Sequence, residues 1–97
     1  MFPVLSIHEK SVVVVARDQI SCDIGGEAAI LSLNDGVYYG LDLVGARVWS
    51  LVQEPQTFGA LRDTLIKEYN VEADNLETDL RELLEELAQH GLIEVTT

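Results

Sequence analysis

His8, Cys22 and His90 are the only imidazole and thiol side chains in this chain of 97 residues. No two of them have the spacing of metal ligands, and a single cysteine forms no internal disulfide. Cys22 stands in "QISCDI" between Ile20 and Ile24, with polar residues alternating. No basic or histidine neighbour is close in sequence to activate its thiol, so it is expected to be a small buried apolar residue. His90 precedes Gly91 at the expected end of a helix, where an imidazole suits the negative end of the helix dipole. His8 lies in residues 1–10, which carry no periodic signal. There is no Gly-x-Ser-x-Gly elbow, Walker loop or dinucleotide fingerprint, and Gly25-Gly26 marks a turn rather than a phosphate cradle. The expectation is a protein that is not an enzyme and needs no cofactor and no metal.

The remaining chemistry is carboxylate. Seventeen acidic residues face six basic ones, a formal net charge of −11. Nucleic-acid affinity comes largely from Lys and Arg on phosphates, so no nucleic acid is expected as partner, and an anionic membrane surface is disfavoured for the same reason. Glu77, Asp79, Glu82, Glu85 and Glu86 sit between leucines. They form either a solvated helix face or an acidic wall beside a groove, which would attract a basic peptide. No segment reaches the ~20 apolar residues of a membrane span. "MFPVLSIHEK" lacks the basic start and apolar run of a signal peptide, so a cytoplasmic, reduced protein is expected.

These side chains must be held by the elements of a single small domain, residues 1–97. "SVVVVAR" (11–17) is a β-branched run that pairs either within the chain or with a second copy as a homodimer. "QISCDI" (19–24) alternates as a half-buried strand. Gly25-Gly26 turns it into "EAAILSLN" (27–34), with Ala29, Leu31 and Leu33 on one face. Asp35-Gly36 is a second two-residue hairpin signal, and "VYYGLD" (37–42) closes a three-stranded meander. Val37, Tyr39 and Leu41 share one face of it; Tyr38 and Gly40 share the other. The period then changes from two to 3.6. Asp42 is the expected N-cap of a helix over 43–53 with Val44, Val48, Leu51 and Val52 on a stripe, and Pro55 stops it. Thr57 caps a second helix, "FGALRDTLIKEY", ended by Asn70. Asp74 and Glu77 resemble a capping box for a third. That helix carries Leu76, Leu80, Leu83, Leu84 and Leu87 and stops at Gly91. "LIEV" (92–95) is a last extended piece. The fold class is α+β, winged helix-turn-helix-like, a three-stranded antiparallel sheet followed by three helices.

The turn and strand "NDGVYYGLD", the helix "VGARVWSLV", the "EP" break and the terminal "GLIEV" occur in an order and spacing that resemble the PqqD-like family, also called RiPP precursor recognition elements. The likeness covers residues 19–95. It implies a non-catalytic domain that binds the leader of a ribosomally made precursor peptide and presents it to modifying enzymes. In such proteins the leader adds as a strand to the edge of the third strand, beside the third helix. Carried onto this chain, the edge is Val37, Tyr38, Tyr39, Gly40 and Leu41. The wall is the leucine helix, with Leu76, Leu80 and Leu83 toward the peptide, Asp79 beside them, and Leu84 and Leu87 holding the core. Asp42 stands where the family commonly has asparagine, a swapped helix cap. The resemblance is to the free-standing lasso-peptide type, whose partners are a leader protease and a cyclase. The alternatives are a pyrroloquinoline quinone-type peptide chaperone and an acidic winged-helix subunit that holds another protein.

Overall fold

Glycine and aspartate set the first half of the chain. In the computed structural model, which describes residues 7–96, strands β2 (Gln19–Ile24), β3 (Glu27–Ser32) and β4 (Tyr38–Leu41) form the expected antiparallel meander in the order β2-β3-β4. Gly25 and Gly26 take φ of 64° and 91°, a conformation that costs a glycine little. The Asp23 carboxylate accepts the Gly26 N–H at 2.9 Å. The second turn differs from the two-residue hairpin expected at Asp35-Gly36. Ala28 pairs with Leu41 and Leu31 with Tyr38, so the connection is the longer loop 33–36. Two bonds hold it there: Gly36 N–H donates to the Ser32 carbonyl at 2.8 Å, and Leu33 N–H to the Asp18 carbonyl at 2.9 Å.

A second sheet lies outside the meander. Strand β1 (Val12–Val15) sits between β5 (Gln56–Thr57) and β6 (Ile93–Thr96), both antiparallel to it. The valine run therefore pairs within the chain, and Val13 is fully buried. β-Branched side chains suit a central strand with neighbours on both edges.

Helix α1 (Leu43–Leu51) begins at Asp42, whose carboxylate accepts the Gly45 N–H at 2.8 Å. Helix α2 (Phe58–Tyr69) begins at Thr57, whose hydroxyl accepts the Ala60 N–H at 3.1 Å. Asn70, at φ 50°, ends it. Helix α3 (Ala73–Gln89) departs from expectation at its start. Its N-cap is Glu72, with no side-chain cap bond, so Asp74 and Glu77 form no capping box. Asp74 lies inside the first turn, where its charge suits the helix dipole, and Glu77 instead reaches Arg81 at 3.4 Å. The core joins Val13, Ile30, Val48, Trp49, Phe58, Leu61, Leu65, Leu84 and Leu92.

Strand β2 corrects a second expectation. Ile20 and Ile24 are 59% and 63% exposed, and Cys22 is exposed too. Ile20 pairs with Leu31 and Cys22 with Ala29, so all of them stand on the outer face of the sheet. β3 buries the opposite set, Ala28, Ile30 and Ser32. Alternation tells which residues share a face; what packs on that face decides burial.

Candidate peptide-binding groove

β4 is an edge strand. Its partner on one side is β3, and among the described residues no strand pairs with the other side. The bonding pattern fixes which backbone groups are free. Ser32 N–H donates to the Val37 carbonyl at 3.0 Å, which makes 32 and 37 a hydrogen-bonded pair. Such pairs alternate along an antiparallel ladder. Tyr39 and Leu41 therefore turn their N–H and C=O toward β3, and Val37 turns its C=O there while its N–H goes to the Asp35 carboxylate. Tyr38 and Gly40 turn theirs to the open edge.

That edge forms one wall of a groove of about 1060 Å³. α1 supplies Val44 and Val48 to it, and α2 supplies Leu65 and Tyr69. The opposite wall is α3, with Leu76, Asp79, Leu80, Leu83, Glu86 and Leu87. α1 can sit close under β4 because of Gly45. A β-carbon there would lie 3.2 Å from the Leu41 Cβ, tighter than ordinary contact.

Tyr39 and His90 close one end. Their ring centroids are 4.7 Å apart, and the Tyr39 hydroxyl is 3.2 Å from His90 Nδ1. The same hydroxyl reaches toward Asp35 Oδ2 at 3.5 Å. Asp35 also accepts the Val37 N–H at 3.0 Å. That backbone bond is the main reason its carboxyl is held below its ordinary range, with Ser32 and Tyr39 adding to it. Partial desolvation, then the Asp35 charge, pushes the Tyr39 phenol up.

Of the residues singled out by sequence, Tyr38, Tyr39, Gly40, Leu41, Leu76, Asp79, Leu80 and Leu83 line this groove. Val37 does not: it precedes β4 and its carbonyl is bonded to β3. The expected division of leucines also shifts. Leu80, expected at the margin, is only 3% exposed and belongs to the core as well as the groove floor. Leu87, expected inside, lines the groove too. Only Leu84 is purely interior, and Leu83 is the half-buried one. Sequence reasoning passed over Val44, Val48 and Tyr69 as groove residues, although their helical stripes were visible. His90 had only its place at a helix end as a signal. Its ring partner is 51 residues away. Among the described residues, no group of three His, Cys, Asp or Glu is arranged to hold a metal, and no helix is long and apolar enough to cross a membrane.

No curated protein matches the chain. Among solved structures, TbiB1 in complex with the TbiA(beta) leader peptide superposes with a TM-score of 0.78 and 37% sequence identity, over 84% of this chain and 94% of that one. A lasso peptide synthetase B1 complexed with the leader peptide superposes with a TM-score of 0.74 at 18% identity, over 84% of this chain and 96% of that one. The second likeness concerns the fold. Residues 27–93 match the family Coenzyme PQQ synthesis protein D (PqqD), a stretch that runs from β3 through α3 into β6. With its meander, its three helices and this match over most of its length, the chain belongs to the PqqD family.

Proposed function

We propose that the chain captures the leader of a ribosomally made precursor peptide as an added strand on β4 and hands it to maturation enzymes. The observation that carries this is the open edge of β4 facing the leucine wall of α3 across an apolar groove. Strand addition draws affinity from main-chain bonds, here at Tyr38 and Gly40, and sequence choice from side-chain pockets. The 37%-identical TbiB1, solved with a leader peptide bound, supports leader binding by this chain. We assign the chain to the lasso-peptide branch, in which a leader protease and a cyclase act on the presented precursor. The chain itself is read as leaving the peptide chemically unchanged.

Fluorescence anisotropy with the labelled leader of its cognate precursor tests the reading. Saturable binding at roughly micromolar affinity or tighter, about −8 kcal/mol, is expected. Amide exchange should show new protection at Tyr38, Gly40 and along α3, and mass spectrometry should return the peptide intact. Protection confined to β1, β5 and β6 would move the site elsewhere, and a cleaved or cyclised product from the pure protein would refute a binding-only role. A pyrroloquinoline quinone precursor leader bound more tightly than a lasso leader would reassign the branch.

A further inference from the structure

We propose that the groove selects a cationic peptide: an extended segment whose apolar side chains seat on the leucine floor while lysines or arginines meet a row of carboxylates on the rim of α3. The inference deepens the strand-addition reading and rests on it. Glu72, Asp79 and Glu86 all line the groove and are exposed. Each stands seven residues from the next, two helical turns or about 10.5 Å along one stripe. An extended peptide covers that distance in about three residues. The leucine floor lies beside this row, so the methylene stem of a peptide lysine or arginine can rest on it while its charged head reaches a carboxylate.

The chain's own lysines and arginines lie outside the groove: none of the six lines it. Arg47 pairs with Glu68 at 2.7 Å and Arg62 with Glu9 at 2.8 Å. Arg81 turns to the far side of α3, over the Phe58 ring at 5.0 Å and onto the Ile7 carbonyl at 3.2 Å. Asp79 and Glu86 form no ion pair among the described residues. Uncompensated carboxylates beside a low-dielectric floor focus a negative potential into the groove. A neutral strand could bond to Tyr38 and Gly40 equally well, so the row supplies discrimination that the backbone cannot. An acidic segment would be repelled.

Display selection of random dodecapeptides on the immobilised full chain at low salt tests this with no ligand sequence assumed. Enriched peptides should carry more positive charge than the input. The Asp79→Lys/Glu86→Lys chain should bind the best selected peptide roughly tenfold more weakly. Glu54→Lys/Glu82→Lys makes the same change in net charge at exposed positions outside the groove, and should stay within about twofold. Neutral or acidic winners that still protect β4 from exchange would overturn the charge preference and leave the groove reading standing. Equal weakening by both double variants would overturn the role of the row, because the whole-molecule field would then be acting. Failure to enrich any peptide, or winners that leave β4 unprotected, would overturn the groove reading itself.

Discussion

Tyr39 ties the loop before β4 to the end of α3, 51 residues away in sequence. Its ring lies against His90 at the end of α3, and its hydroxyl points between His90 and Asp35. Asp35 in turn holds the loop before β4 through the Val37 N–H. The carboxyl of Asp35 is held below its ordinary value by that bond. A group with a lowered folded pKa adds stability that is full above its unfolded value and fades as the pH falls through the folded one. The melting midpoint of the parent should therefore exceed that of Asp35→Ala by a constant margin from about pH 5 to 8, and the margin should shrink below about pH 4. A margin that persists unchanged into strong acid would show that the charge is not involved. Tyr39, raised by partial burial, has the opposite dependence, with stability lost as the pH rises through its folded value.

At the scale of elements, α3 carries two tasks on neighbouring stripes. Leu84 is fully buried and absent from the groove, whereas Leu83 is half-buried and lines it. Truncating a buried leucine costs about 2–5 kcal/mol through lost transfer energy and a residual cavity. Leu84→Ala should therefore lower the thermal midpoint strongly, and the surviving folded fraction should bind leader like the parent. Leu83→Ala should cost less stability, about 1 kcal/mol, and weaken leader binding by roughly tenfold. Leu80→Ala, in both stripes, should lose on both counts. Paired thermal melts and anisotropy titrations check the ordering. Leu83→Ala with unaltered leader affinity would take α3 out of the site. The outer face of β2 and β3, with Ile20 and Ile24 exposed, is separate from the groove, which neither isoleucine lines.

The whole molecule carries a formal charge of −11, and a few ion pairs form on its surface. Arg47 and Glu68 are the best formed, and the guanidinium bond holds the Glu68 carboxyl below its ordinary value. Exposed pairs of this kind contribute little, about 0–1 kcal/mol each, so repulsion among the excess carboxylates dominates the salt response. Raising sodium chloride from about 0.02 to 0.3 M shortens the screening length from roughly 20 Å to under 10 Å. The thermal midpoint should rise by several degrees while leader affinity falls, if the peptide is cationic. A midpoint that drops with salt would mean that the ion pairs outweigh the net charge.

Much of this architecture was legible because its signals are local. A positive φ at Gly25-Gly26, a carboxylate at Asp42 and a hydroxyl at Thr57 act within three residues, and they end or begin elements wherever the rest of the chain goes. The leucine spacing of α3 and the motif around residues 34–42 likewise point to the helix, the edge strand and the family. The tertiary structure decided what depends on which surfaces meet. The valine run of β1 could have joined a second copy; β5 and β6 cover both its edges within the chain. Cys22 and the isoleucines beside it share a face as their alternation requires, but among the described residues no element packs there, so they stay exposed. The loop 33–36 is longer than Asp35-Gly36 alone predicts, because its bonds to Ser32 and Asp18 outweigh a tight turn. His90 met Tyr39, and Leu80 went to the core, through the way α3 packs on α2 and β6. That packing depends on which surfaces meet rather than on any residue's neighbours in sequence.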